Sequence, residues 1–264
     1  MLLHLLGQIA LVKLLGTSLL QLTKGQERIS MEDVRKEIGT ENIDDELQSL
    51  KERGLISLNN EYLELDSRQR VLLAEALVRT GQDVQQISRL LAWREFEEFV
   101  ESALDQSGFK SIRHLVFKSN VGRREIDILA WNDVWILIVD CKHWSGTLTH
   151  SRMKEAAEAQ AQRTRALTER SEIMQRRGIT RLDIPLVPLI LTLGEPRERL
   201  IMGVPIVGLS RFSSFLQEAS PYSDGFLTLR VQTRSKQSSL LSHIHLQKRN
   251  RMTNLTQDAE RRRP

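Results

Sequence analysis

The chain has 264 residues, of which 40% are hydrophobic and 27% are charged, and its formal net charge is +4. This composition excludes a disordered chain, and the single cysteine, Cys141, excludes a disulfide framework or a zinc site built from several thiolates. A reducing, cytoplasmic compartment is therefore expected. The positive excess lies in the tail, residues 247–264, so any DNA binding by the rest of the chain must come from local patches.

The leucine-rich start, Leu2 to Leu22, predicts a buried helix. It has no basic segment or small-residue cleavage site of the kind that marks a signal peptide. Polar residues, among them His4, Gln8 and Lys13, interrupt the apolar run before it reaches the length of a membrane span. We therefore expect no association with a membrane.

The next elements resemble a winged helix. Ser30 can cap a second helix, a third helix is predicted over residues 42–53, and two short alternating runs over residues 56–65 predict a β-hairpin. The resemblance implies a small winged-helix-like α+β domain over residues 1–66. Two linking helices are predicted in residues 67–92.

The charge of the third helix argues against a role in reading DNA. Residues 41–53 contain five acidic and two basic side chains, and phosphates would be repelled by such a face. Packing or contact with another protein is the favoured interpretation, and the choice between DNA and protein stays open.

Residues 93–236 predict an α/β domain, with a central mixed sheet flanked by helices. A basic tail follows over residues 237–264. The pattern predicts helices over residues 94–106, 151–177 and 212–219, and strands beginning at 116 and covering 126–131, 134–141, 186–193, 205–209 and 226–232.

Two carboxylates and a lysine are expected to meet at the end of an apolar strand. Asp127 lies on one predicted strand, Asp140 and Lys142 close the next, and a turn separates the two strands. An antiparallel hairpin can bring the two acids together. The period of two places Asp140 and Lys142 on one face of their strand and Cys141 on the other. Charge in such a place is costly unless it has a task.

The task that fits is phosphodiester hydrolysis. Carboxylate oxygens are ligands for Mg²⁺ or Mn²⁺, which polarises phosphate and lowers the pKa of a bound water. A nearby lysine can orient that water or neutralise charge in the transition state. An ion pair at the surface, where the strand ends, is the alternative reading of Asp140 and Lys142.

Several segments are similar to Mrr-like restriction endonucleases of the PD-(D/E)xK superfamily. They are Arg94-Glu-Phe-Glu-Glu-Phe-Val100, Glu125-Ile-Asp-Ile-Leu-Ala130, Val139-Asp-Cys-Lys-His-Trp144, Leu191-Thr-Leu-Gly194 and Val204 to Leu216. The resemblance implies a restriction-endonuclease-like core. It implies that Asp127 and Asp140 are metal ligands, that Lys142 is the catalytic lysine, and that Glu97 is the helix carboxylate that supports the metal.

The sequence departs from the family in two places. Many Mrr-like members have Gln where Asp140 stands, so this chain keeps the acidic form. Related nucleases often carry Gln-x-x-x-Tyr on the following helix, whereas here Gln160 is followed by Thr164 and the element is incomplete.

Further residues are candidates by position. Glu98 and Glu101 are alternatives to Glu97 as the supporting carboxylate, and a solvated acidic stripe is the alternative for all three. Candidate nucleic-acid contacts, each of which also has a purely structural reading, are Arg123, Arg124, His143, Trp144 and Gln160.

Two functions from different classes are compatible with these patterns. The first is a metal-dependent DNA endonuclease acting in repair, junction processing or defence, with DNA as partner and a homodimer as one assembly. The second is a non-catalytic adaptor that binds DNA or protein and uses the nuclease fold as a scaffold. The presence of Asp127, Asp140 and Lys142 together favours the enzyme.

Overall fold

A computed structural model of the chain describes residues 13–39, 43–59, 61–142, 144 and 149–231. The predictions for the first half of the N-terminal helix, for His143 and for the basic tail over residues 237–264 lie outside the described residues. The described chain up to Arg230 belongs to one compact unit. The domain boundaries drawn after residues 66 and 92 stay predictions.

The N-terminal part combines three helices with a small antiparallel sheet. The sheet has the order β1-β3-β2. Ser30 caps the second helix by accepting a hydrogen bond from the backbone N–H of Asp33, as the sequence predicts. The elements are helix α1 (residues 13–22), β1 (Arg28–Ser30), α2 (Met31–Ile38), α3 (Asp44–Glu52), β2 (Ser57–Leu58) and β3 (Tyr62–Glu64).

Three further helices lead into the larger sheet: α4 (Ser67–Arg79), α5 (Val84–Ser88) and α6 (Trp93–Gln106). A buried arginine of α4 ties them together. Arg70 donates from Nε to Oε1 of Glu95 on α6 at 2.9 Å, and its terminal nitrogens donate to the backbone carbonyls of Leu90 at 2.6 Å and Leu20 at 2.9 Å. A fourth bond reaches the hydroxyl of Thr23. One side chain thus joins α4 to α6 and to the end of α1.

The larger sheet has six strands in the order β4-β5-β6-β7-β9-β8. Strands β4, β5 and β6 form an antiparallel meander, whereas β7 is parallel to both β6 and β9. The helices α7 and α8 make the crossover from β6 to β7. The bounds are β4 (Lys110–Ser119), β5 (Gly122–Trp131), β6 (Ile136–Lys142), α7 (His150–Thr168), α8 (Ser171–Arg176), β7 (Leu186–Thr192), β8 (Leu200–Ile201), β9 (Val204–Gly208) and α9 (Phe212–Glu218).

Helices cover both faces of this sheet, which explains the continuous apolar runs of its central strands. Val139 of β6 packs in one core with Phe96 and Val100 of α6. On β7, Ile190 packs in a second core with Ala157 of α7. The predicted class, a mixed sheet flanked by helices, is confirmed.

Several element bounds differ from the sequence prediction. Strand β4 begins at Lys110, earlier than predicted, because its first half is an exposed edge and lacks an apolar run. The helix predicted over residues 151–177 is broken where Arg170 leaves the helical conformation (φ −124°, ψ 49°). The hairpin strand β8 was not predicted.

The prediction of an edge strand over residues 226–232 is wrong for residues 226–231, the part that the structure describes. Only one isolated bridge forms there, between Leu229 and Leu186. The backbone N–H of Leu227 is instead directed to the carbonyl of Gly203. Because the segment divides its backbone bonds between two partners, no continuous ladder can develop.

None of the helices in the described ranges combines the length and the apolar character needed to cross a membrane.

Candidate active site

Asp127 lies where strands β5 and β6 begin to separate. The paired residues run up to Ile128 opposite Val139, and one further step of the same register places Asp127 opposite Asp140. The carboxylate of Asp127 accepts a hydrogen bond from the backbone N–H of Cys141 at 2.8 Å. A side-chain oxygen therefore bonds to the β6 backbone at the fork.

The Asp127 carboxyl is partly buried and faces a second acid. Burial raises the pKa of the Asp127 carboxyl, and repulsion by Asp140 raises it further. The hydrogen bond from Cys141 and the positive charges of Lys142 and Arg163 act in the opposite direction without cancelling the shift. The charged form of Asp127 is therefore destabilised in the folded chain, and shifted pKa values of this kind are common at functional sites.

Asp140 is 3% exposed and is held by two cations. Nζ of Lys142 lies 3.1 Å from Oδ1 and 2.9 Å from Oδ2 of Asp140, so the lysine spans both oxygens. On the other side, Arg163 of α7 donates to Oδ1 at 2.8 Å. The side chains of Lys142 and Arg163 are 27% and 21% exposed, so both connect the buried carboxylate to the surface.

Gln160 supports this arrangement from within. It has no exposed surface, and its amide nitrogen donates to the backbone carbonyls of Ile138 at 2.5 Å and Leu189 at 3.4 Å. Its side-chain oxygen accepts from Arg163 at 2.6 Å. Gln160 therefore links α7 to β6 and β7, and its burial favours a supporting role over direct contact with nucleic acid.

Glu97 approaches the same place from α6. It is 1% exposed, and burial raises the pKa of its carboxyl, to which repulsion by Asp127 adds. Nε2 of His114 lies 3.1 Å from Oε2, and this charge and a side-chain hydrogen bond with Trp93 lower the pKa of Glu97 without cancelling the shift.

The two alternatives to Glu97 are engaged elsewhere. Glu98 and Glu101 lie 3.5 Å and 2.7 Å from nitrogens of Arg113. Glu101 also accepts a hydrogen bond from Ser111. The charge of Glu97 interacts with that of Asp127. We name Glu97, Asp127 and Asp140 the carboxylate cluster.

Sequence reasoning missed His114. Its backbone is in the left-handed region (φ 53°), which is strained for a residue with a Cβ. The β4–β5 register passes from Arg113 opposite Ile128 to Leu115 opposite Ile126, so His114 lies level with Asp127. Its ring lies between Glu97 and Glu125, with Nδ1 3.6 Å from the latter. A lone histidine in a strand gives no sequence signal for this position.

The other residues singled out from the sequence surround the site less closely. Arg123 is exposed at the start of β5, and Arg124 is half-buried, with Nε buried and lacking a hydrogen-bond partner in the described chain. Trp144 is half-buried, and Nζ of Lys142 lies 5.7 Å from the centre of its ring.

The chemical type of these side chains, carboxylates with oxygen ligands, fits a hard divalent cation. Three carboxylates supply oxygen donors, and Oε2 of Glu97 is a buried acceptor that faces the His114 ring at 3.1 Å. As they stand, no group of three or more His, Cys, Asp or Glu among the described residues could hold a metal ion. Lys142 and Arg163 contact the oxygens of Asp140, so a cation bound there would meet two positive side chains.

The raised pKa of Glu97 predicts a stability effect. In the folded chain the carboxyl keeps its proton above the ordinary pKa of 4.5, so stability falls as pH rises through this window. Removing the charge with Glu97→Gln should therefore raise the thermal midpoint at pH 7 in chelator. The gain should vanish below pH 4.5, where the wild-type residue is protonated in both states.

Differential scanning calorimetry between pH 4 and 8 checks this, with Glu98→Gln as the matched control on the same helix. A lower midpoint of Glu97→Gln at pH 7 would contradict the expected cost of the buried charge.

Residues 92–182 match the family model described as the nuclease-related domain, NERD. The match begins just before α6 and ends before β7, so it includes the carboxylate cluster, Lys142 and Arg163. It covers less than half of the chain. This match supports a nuclease-related function.

No curated protein matches the chain. The crystal structure of a protein of unknown function, AF1548, is 21% identical over 36% of this chain and 44% of that one, with a TM-score of 0.26. Protein VC1899 from Vibrio cholerae is 14% identical over 79% of this chain and 49% of that one, with a TM-score of 0.37. The chain thus spans about half or less of either protein, and at these TM-scores the likeness carries no argument. The family match at residues 92–182 is the comparison that connects this chain with nucleases.

Proposed function

We propose that the chain is a metal-dependent deoxyribonuclease of the PD-(D/E)xK type, which hydrolyses phosphodiester bonds with Mg²⁺ or Mn²⁺. The observation that carries the proposal is the meeting of Asp127, Asp140 and Lys142 at the fork between β5 and β6, with buried Glu97 approaching from α6. The nuclease-related match over the same residues supports it.

Each residue has a distinct task in this proposal. Asp127 and Asp140 would hold the cation, with the buried carboxylate of Glu97 supporting it. The bound ion would polarise the scissile phosphate and lower the pKa of a water bound to it. Lys142 is a strand-end cation beside the two acids, so it is placed to orient the attacking water and to stabilise the charge that develops on phosphate.

The backbone of the sheet fixes these groups. The hydrogen bond from Cys141 holds the Asp127 carboxylate at the strand fork. Gln160 bonds to two strands and so fixes the position of α7 against the site. Such preorganisation is what electrostatic catalysis requires, since the charges need not rearrange in the transition state. Cys141 has no place as a nucleophile, because burial raises the pKa of its thiol well above the ordinary value.

The N-terminal part is proposed to be a winged helix that contacts protein or packs within the molecule. The element order α1, β1, α2, α3, β2, β3 and the sheet order β1-β3-β2 support this reading. The exposed charged residues of α3 are Asp44, Asp45, Lys51 and Glu52, so its outer face has a net negative charge and repels phosphate.

A non-catalytic adaptor is the second candidate. The observation in its favour is that Asp140 is engaged by both Lys142 and Arg163, as in a structural ion-pair network. In that case the nuclease-like sheet would serve as a scaffold for binding DNA or protein.

The two candidates are separated by a cleavage assay. The full chain is incubated with duplex, single-stranded and branched DNA in Mg²⁺, Mn²⁺ or EDTA, beside Lys142→Ala and the exposed control Lys154→Ala. We expect cleavage of at least one substrate with metal, none in EDTA, and a loss of about a hundredfold or more in Lys142→Ala. Cleavage that persists in EDTA or in Lys142→Ala would refute the mechanism. A folded protein that cleaves none of the substrates would favour the adaptor.

A further inference from the structure

We propose that Arg163 is an internal cation that holds Asp140 until the metal binds, and that it then turns to the DNA phosphate. The proposal rests on the proposed nuclease function. It assigns to one arginine two successive partners: a carboxylate of its own chain and a phosphate of the substrate.

Arg163 and a bound metal would compete for the carboxylate of Asp140. Arg163 donates to Oδ1 of Asp140 at 2.8 Å, at a carboxylate that is 3% exposed. A cation bound to both Asp127 and Asp140 needs an oxygen of this buried group, and Lys142 already spans both of its oxygens. A metal, the guanidinium and the ammonium at one buried carboxylate would repel one another, so metal binding should weaken the contact of at least one of the two side chains with Asp140.

Arg163 can leave Asp140 more easily than Lys142 can. Lys142 is on the same strand as Asp140, two residues away, and because side chains alternate along a strand the pair stays on one face. Arg163 comes from α7 and has a second partner, the side-chain oxygen of Gln160 at 2.6 Å. This fully buried amide can keep hold of the guanidinium when Asp140 is released, because a guanidinium has five donors.

A guanidinium released from Asp140 can reach a phosphate at the surface. The Arg163 side chain is 21% exposed, so part of it already reaches the surface. A planar guanidinium matches two phosphate oxygens at once, which a lysine ammonium cannot do. The group displaced by the metal would thus become a ligand for the substrate that the metal polarises.

If Arg163 and the metal compete for Asp140, removing Arg163 should change the affinity of the site for metal. Without Arg163, Asp140 loses a competitor and the site loses one positive charge, so a divalent cation should bind more tightly. We expect Arg163→Gln to bind Mg²⁺ or Ca²⁺ about tenfold more tightly, the effect of removing one modest ion-pair contact. Cleavage of DNA should nevertheless fall about a hundredfold, because the phosphate contact is lost.

The test combines three measurements on the full chain. Titration calorimetry with Mg²⁺ alone and with Ca²⁺ alone gives the metal affinity without any turnover. Fluorescence anisotropy of a short duplex in Ca²⁺ gives DNA affinity, and a steady-state assay in Mg²⁺ gives kcat and KM. The variants are Arg163→Gln and Arg163→Lys, with Arg165→Gln, an exposed position of the same helix, as the matched control.

Tighter metal binding together with weaker DNA binding or slower cleavage in Arg163→Gln supports the proposal, as does partial recovery of cleavage in Arg163→Lys. Metal affinity that stays unchanged or falls overturns it, and Arg163 is then a structural partner of Asp140. If Arg163→Gln does not fold, the same criteria are applied to Arg163→Met, which also removes the charge. Failure of the proposed function gives a different result, in which the wild-type chain itself neither binds Mg²⁺ nor cleaves DNA.

Discussion

Asp127→Asn and Asp140→Asn are each expected to reduce metal-dependent cleavage by about a thousandfold or more. An amide keeps the shape of the carboxylate but loses the charge, and the electrostatic effect of a bound cation is worth several kcal/mol of barrier. Both variants should also lose affinity for Mg²⁺ in titration calorimetry. Rates on the best substrate from the cleavage assay provide the measurement.

The fold should survive these substitutions, which circular dichroism can verify. An asparagine oxygen at position 127 can still accept the hydrogen bond from Cys141, and the repulsion between the two acids disappears. Asp133→Asn, in the exposed turn of the same hairpin, is the matched control and should cleave at the wild-type rate. Retention of cleavage in Asp127→Asn or Asp140→Asn would remove these residues from the mechanism.

The second large effect concerns stability. Arg70→Met should lower the free energy of unfolding by about 3–5 kcal/mol, because it leaves the buried carboxylate of Glu95 without its partner. It also removes hydrogen bonds to the carbonyls of Leu20 and Leu90. Urea denaturation followed by circular dichroism gives the free energy.

Arg68→Met is the control for this prediction. Arg68 is exposed in the first turn of the same helix, so its loss should change stability by only a few tenths of a kcal/mol. Equal effects of the two substitutions would show that the four bonds of Arg70 contribute little beyond surface charge.

The sequence predicts the parts of the site that are local. Asp127 and Asp140 are joined by a short hairpin, and Lys142 follows on the same strand, so period and turn position determine their meeting. The apolar run before Asp140 likewise identifies the buried central strand β6. These inferences need no knowledge of the remaining chain.

Other parts of the site depend on tertiary packing and cannot be predicted from the sequence. The choice of Glu97 over Glu98 and Glu101 depends on how α6 rotates against the sheet, which helical periodicity alone leaves open. His114 matters because its backbone adopts a left-handed conformation beside Glu97, and Arg163 matters because α7 crosses back over β6. Both contacts join residues far apart along the chain.

The same reasoning explains the errors in the fold. Edge elements carry weak hydrophobic patterns, so the start of β4 and the short strand β8 went undetected. The apolar alternation near Leu229 predicted a strand, yet the backbone there divides its bonds between Leu186 and Gly203. A hydrophobic pattern indicates which residues are buried, whereas a strand also needs one continuous partner for its backbone hydrogen bonds.

The mixed pairing of the large sheet has a consequence for how the chain folds. The meander β4–β5–β6 joins neighbours in sequence, whereas β7 can pair with β6 only after the whole crossover through α7 and α8 has closed. Until then β6, every residue of which but Lys142 is buried in the final fold, is an open apolar edge. We expect chains cut before Leu186 to self-associate through this strand, so a nascent chain is safest once β7 has left the ribosome.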